Sequence, residues 1–226
     1  MTFGIENIWS INIGGAELWI TQTIVNTWII MALLIALAIF VRIKLRRFQE
    51  IPKGFQSIIE AAVELFDNFM LSAVGERLMS LGTWFFTLFI FIFTCSLSGI
   101  IGMRPPTADW ATTFALALMT LILIQVMGIK YRGKEYLKSF FSPHPVFFPL
   151  NLIGELARPV SLSFRLFGNT LSGLILMTLV YSLAPVVFRF AIPAALHAYF
   201  DIAIGALQTY IFCMLSLMFI KQATEE

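Results

Sequence analysis

Arg165 is the residue whose position most needs a chemical reason. It sits in Leu162-Ser163-Phe164-Arg165-Leu166-Phe167, within a mostly apolar stretch, fourteen residues beyond Asn151 and nineteen before Ala184. A charge at mid-membrane costs on the order of 2.5–3.5 kcal/mol on insertion scales, so it needs a partner and a function. Two sources of that partner stay open: a negative group on another chain, or neutralisation within this one, snorkelling from a tilted helix included. Ser161 stands four residues before Arg165, and Asn169 and Ser172 stand four and seven after it, which puts all four on one helical stripe. The following apolar stretch carries His197, Asp201, Gly205 and Gln208 at i, i+4, i+8 and i+11, again one face. Asp201 is the only acid between Glu155 and the terminal pair Glu225 and Glu226. An intramembrane carboxylate one turn from a histidine suits the uptake and release of protons; the plainer alternative for His197 is a packed, hydrogen-bonded ring. Arginine keeps its proton in proteins, so Arg165 acts by its field and not as a relay.

These groups must be positioned by membrane helices. Of 226 residues 59% are hydrophobic and 12% charged, and mean hydropathy is +0.87. Soluble chains average roughly 25% charge, so a cytosolic globular enzyme is excluded. The net charge of +2 gives no reason to expect a nucleic-acid partner. Cys95 and Cys213 lie far apart in apolar runs and read as packing residues. The first nineteen residues contain Glu6 and Glu17 but no Lys or Arg, so no secretory signal is expected and the N-terminus is expected to be retained.

Spans are expected over 20–41, 81–101 and 110–129, each near the ~20 residues that cross a ~30 Å hydrocarbon core. Arg42, Lys44, Arg46, Arg47 and Lys53 follow the first, and Lys130, Arg132, Lys134 and Lys138 follow the third, which places both clusters in the cytoplasm and the N-terminus outside. Gly102 to Asp109 is then a short external loop. Over 54–72, Phe55, Ile58, Ile59, Ala62, Phe66 and Phe69 recur at helical spacing opposite Gln56, Glu60, Glu64, Asp67 and Asn68, an amphipathic helix at the cytoplasmic interface. Its acidic face fits either a protein partner or plain solvation. Residues 151–184 and 186–221 exceed a perpendicular crossing, the first by reaching roughly 51 Å as a helix. They are expected to form a strongly tilted hairpin, entered through Pro143, Pro145 and Pro149, with Pro159 a candidate kink, Pro185 ending the first helix and Pro193 interrupting the start of the second. The expected fold is therefore an all-α integral membrane protein in one domain, 1–226: three conventional spans, one interfacial helix and a tilted hairpin, with the C-terminus cytoplasmic. A turn between Val186 and Val187 sets Arg165 opposite Gln208 and Asp201 opposite Ser172, with Asp201 roughly 10 Å along the axis from Arg165.

Arg158-Pro159-Val160-Ser161-Leu162-Ser163-Phe164-Arg165-Leu166-Phe167-Gly168-Asn169, followed by Ala206-Leu207-Gln208-Thr209-Tyr210-Ile211-Phe212, resembles subunit a of the membrane sector of F-type ATP synthases, and the likeness covers the whole chain. The resemblance implies that Arg165 is the essential stator arginine facing the c-subunit ring, with Asn169 and Gln208 as its polar companions. It further implies that Asp201 occupies a position carrying a titratable His or acid in the family. Many bacterial members have a Glu nine residues after the arginine; here that residue is Leu174, so the acid comes from the second helix. On this reading Arg165 is the essential charge, and Asn169, Ser172, His197, Asp201 and Gln208 line the proton path. The implied partners are the c-ring, the peripheral-stalk b subunits, the rest of the synthase and membrane lipids. No cofactor, metal or nucleotide site is expected in this chain, and the implied location is the bacterial plasma membrane. Proton and sodium both remain open as the coupling ion, with proton favoured because no clustered oxygen-ligand site is visible. A secondary transporter or self-contained channel is the main alternative, but it would normally show repeated helical halves, and none are present. A membrane-embedded enzyme is weaker, lacking a paired-His, Gly-rich Lys-Ser/Thr or Ser-His-Asp pattern.

Overall fold

The apolar runs fold into helices because backbone N–H and C=O groups in a hydrocarbon core must be satisfied within their own segment. The computed structural model describes residues 7–13, 16–45, 53–142, 144–183 and 191–225. Arg46, Arg47, Pro143, Pro185 and the turn at Val186–Val187 lie outside the described residues. Among the described residues five helices are long and apolar enough to cross a membrane: Gln22–Leu45, Glu76–Leu97, Trp110–Arg132, Pro145–Leu183 and Ile192–Glu225.

One element departs from the all-α expectation. An antiparallel pair of strands, β1 (Asn7–Ile13) and β2 (Ala16–Thr21), precedes the first helix, with Ile13 opposite Ala16 and Asn7 opposite Thr21. Gly14-Gly15 between two runs of β-prone residues is a short-hairpin signal that the neighbouring hydropathy peak obscures. The helical remainder begins with α1 (Gln22–Leu45), in which only Thr23, Asn26 and Ile30 are buried. Thr23 Oγ1 donates to Asp109 Oδ2 (3.1 Å) and Asn26 Nδ2 donates to the Arg104 carbonyl (2.9 Å), so α1 is tied by hydrogen bonds at one end, and near the other Phe40 meets Phe55 edge to face.

The expected amphipathic helix is α2 (Phe55–Val74), bounded by Gly54 and Gly75 at positive φ. It packs through Phe66, Met70, Ala73 and Val74, while Phe55, Ile58 and Ala62 of its expected apolar side remain exposed. A 3₁₀ segment, Glu76–Leu81, leads into α3 (Gly82–Leu97). After the loop comes α4 (Trp110–Arg132), N-capped by Asp109, whose carboxylate accepts from the Ala111 N–H at 3.2 Å. The short α5 (Lys134–Ser139) precedes α6 (Phe148–Leu183), 36 continuous residues or about 54 Å of helix, with Pro159 buried inside it. The chain returns through α7 (Ala191–His197), a π-helical stretch Ala198–Ile204 and α8 (Gly205–Glu225). Pro193 is the third residue of α7, within the first turn, where a missing N–H breaks no intrahelical bond.

The core gathers Phe66 and Met70 of α2, Phe85 and Ile92 of α3, Ile124 of α4, Leu166 of α6, and Phe212 and Leu217 of α8. Close approach between α3 and α8 requires Gly205, because a Cβ there would meet Ser96 Cβ at 2.7 Å.

Candidate functional site

Asn169 Nδ2 donates to Gln208 Oε1 at 2.7 Å, and the Tyr181 hydroxyl lies 3.0 Å from His197 Nε2. As the number rises along α6 it falls along the partner, which makes the two helices antiparallel. The pairing corrects the expected register: Gln208 faces Asn169, not Arg165, and Asp201 faces the backbone of Gly99 instead of Ser172. Gln208 therefore lies one turn of α6 away from Arg165.

Between the hairpin, the end of α3 and the loop that follows it lies a cavity of about 480 Å³. Asn169, His197, Asp201 and Gln208 all line it, whereas Arg165 and Ser172 do not. Gln22 at the start of α1 and Arg104 of the α3–α4 loop border it as well, which puts it at one end of the bundle. The basic residues Arg42 and Lys44 end α1, and Lys130 and Arg132 end α4, both at the opposite end.

Asp201 sits in the π-helical stretch, where widened turns are common at functional positions. Its Oδ2 lies 2.5 Å from His197 Nδ1, so the predicted i, i+4 pair is a direct hydrogen bond. Only a glycine at 99 leaves room for this carboxylate, since a Cβ there would stand 2.7 Å from Oδ2. Deeper in the cavity Gln208 is 3% exposed; its Oε1 accepts from Asn169, and its Nε2 has no protein partner among the described residues. A buried amide donor of this kind is normally satisfied by water or by a group from another molecule.

Arg165 stands apart. It lies on the outer face of α6, exposed, with no hydrogen bond or ion pair among the described residues. Ser161, Gly168 and Ser172 are exposed on the same face, whereas Asn169 at its edge turns its amide to Gln208, so the stripe read from the sequence joins the outer surface to the cavity. The Ser172 hydroxyl bonds back to the Asn169 carbonyl at 3.1 Å. Small residues flanking the arginine let a neighbouring helix come close.

At the other end of the hairpin a second polar cluster escaped the sequence reading. Tyr136 donates to Gln125 Oε1 (3.0 Å), Gln125 Nε2 to Glu155 Oε1 (3.1 Å), Glu155 pairs with Arg158 (3.1 Å), and Arg158 Nη2 donates to Gln222 Oε1 (3.3 Å). Burial, and then the Glu155 carboxylate, push the Tyr136 hydroxyl above its usual range, with Arg158 opposing, so it remains a donor. Glu155 and Arg158 were legible as an i, i+3 pair, but their bridge to α4 and α8 depends on tertiary packing.

A family model described as ATP synthase A chain matches residues 24–221. Among similar proteins, ATP synthase subunit a of Moorella thermoacetica is 39% identical over 203 residues, covering 89% of each chain. ATP synthase subunit a of Desulfosudis oleivorans is 35% identical, over 89% of this chain and 87% of its own. A third, from Propionigenium modestum, is named ATP synthase subunit a, sodium ion specific; it is 32% identical over 89% of this chain and 73% of its own.

Proposed function

The chain belongs to the ATP synthase A chain family, and from that premise we propose that it is the stator subunit through which protons pass to and from the carboxylates of a rotating c-ring. The observation that carries this reading is Arg165: a permanent charge midway along a membrane helix, exposed on the outer face and unpaired among the described residues. A charge so placed is satisfied by an acid on a neighbouring molecule. Its field favours the ionised rotor carboxylate at the contact, which drives deprotonation there and repels cations that would leak straight through. Lysine is a poor substitute, because a buried ammonium sheds its proton more readily than guanidinium does.

The cavity is the external half-channel on this reading. Tracing inward, a proton meets His197 and Asp201, then water, then the Asn169–Gln208 pair, which ends one turn from Arg165 on α6. The imidazole favours protons over sodium as the coupling ion, since a ring with two nitrogens passes a proton without passing a metal ion. Ser172, on the outer face, takes its part at the rotor contact and not in the cavity. The Glu155 cluster at the opposite end is where the cytoplasmic half-channel meets this chain. The remaining partners follow from the same assembly: peripheral-stalk b subunits and lipids cover the other exposed apolar faces. A membrane potential supplies about 2.3 kcal/mol per charge per 100 mV, so several protons must pass for each ATP.

The test is ATP-driven acidification of inverted membrane vesicles by the assembled complex. Arg165→Ala is expected to abolish pumping while assembly is retained; pumping at wild-type rate would demote Arg165 to a structural charge and reopen the transporter reading.

A further inference from the structure

Tyr181 stands at the rim of the cavity, 41% exposed, about three turns along α6 from Asn169. Its hydroxyl reaches His197 Nε2 at 3.0 Å, while Nδ1 of the same ring lies 2.5 Å from Asp201 Oδ2. A neutral imidazole has one N–H and one lone pair, and an ionised carboxylate only accepts. With Asp201 ionised, Nδ1 carries the hydrogen, Nε2 is bare, and the Tyr181 hydroxyl donates to it.

From this chain of hydrogen bonds we infer that Tyr181 is a positioning residue of the proton entrance, acting through His197. The inference rests on the half-channel reading of the cavity. When the Tyr181 hydroxyl gives up its hydrogen bond, a proton delivered to Nε2 from water lets Nδ1 release its own proton to Asp201, and the ring is neutral before and after. The new Nε2–H then donates to the Tyr181 oxygen. A hydroxyl both donates and accepts, so it satisfies the ring in either tautomer and keeps Nδ1 aimed at Asp201. Phenylalanine does neither. Water at the rim offers the same bonds without the fixed geometry, which is why removing the hydroxyl slows transfer and does not stop it. Among the described residues the other charged side chain bordering the cavity is Arg104 from the α3–α4 loop; α1 contributes the neutral Gln22 and α3 the neutral Ser96.

The experiment compares ATP-driven acidification in vesicles holding the assembled complex with wild type, Tyr181→Phe, Tyr181→Leu, His197→Gln and the Tyr181→Phe/His197→Gln double variant, each normalised to complex content. Tyr181→Phe is expected to pump about fivefold slower, the factor one ordinary hydrogen bond is worth. In the His197→Gln background the same change is expected to alter the rate less than about twofold, because its partner is gone. Wild-type pumping by Tyr181→Phe with a loss only in Tyr181→Leu would reduce Tyr181 to a packing ring and overturn the inference, as would an equal loss with and without His197. If His197→Gln pumps too slowly for comparison, passive proton conductance of vesicles stripped of the catalytic head gives the same ratios. Arg165→Ala and Asp201→Asn separate the two proposals: both pumping normally sinks the half-channel reading, whereas both failing beside a normal Tyr181→Phe removes only the role of Tyr181.

Discussion

At residue scale the site depends on a carboxylate occupying space that another residue leaves empty. Asp201 lies over Gly99 so closely that a methyl group there must displace it. Overpacking of this kind costs about 1–3 kcal/mol, and here the flexible group that gives way is the one the proposed relay uses. Gly99→Ala is therefore expected to slow ATP-driven pumping about tenfold or more while ATP hydrolysis by the complex is preserved; normal pumping would mean that Asp201 relays equally well from another rotamer. Asp201→Asn is expected to lose pumping more fully, because an amide keeps the hydrogen bond to His197 but cannot take up a proton; vesicle acidification at wild-type rate would remove Asp201 from the path. Arg165, His197 and Asp201 were legible in the sequence because each is a polar exception in an apolar run, and helical spacing aligned the last two. Tyr181 and Gly99 were not, because their importance lies in what crosses from a neighbouring element, and nothing local in the chain encodes that.

At element scale the long α6 was legible from its length, since no turn signal interrupts the apolar run before Pro185. Its pairing with α7 and α8 was not, because a hairpin's register depends on the turn geometry and on the number of residues per turn in the returning helix. The π-helical stretch around Asp201 takes more residues per turn than an α-helix does, and no sequence pattern announced it. The corrected register has a direct check. Cysteines replacing Asn169 and Gln208 are expected to cross-link with a short bismaleimide, whereas a pair replacing Arg165 and Gln208 is expected to link poorly. Cys95 and Cys213 can stay, being fully buried. Efficient linking of the second pair alone would restore the register expected from the sequence. The β1–β2 hairpin is a miss of another kind: its Gly-Gly signal was present, but hydropathy outweighed it.

At the scale of the whole molecule, composition and the distribution of Lys and Arg already separated a membrane protein from a soluble one and gave each span a direction. The structure adds an independent constraint, because the cavity and the basic helix ends lie at opposite ends of one bundle. If basic residues stay on the cytoplasmic side, the cavity opens outward. Ile100, exposed in the loop bordering the cavity, and Lys134, exposed at the start of α5, are one-residue reporters of the two ends. In intact cells a membrane-impermeant maleimide is expected to label Ile100→Cys and not Lys134→Cys, and in inverted vesicles the preference is expected to reverse. The opposite pattern would turn the molecule over. The His197–Asp201 cavity would then face the cytoplasm and the Glu155 cluster the outside, with the two half-channels exchanging names. Arg165 would keep its role in either orientation, because its place near the middle of α6 is the same distance from both readings of the membrane.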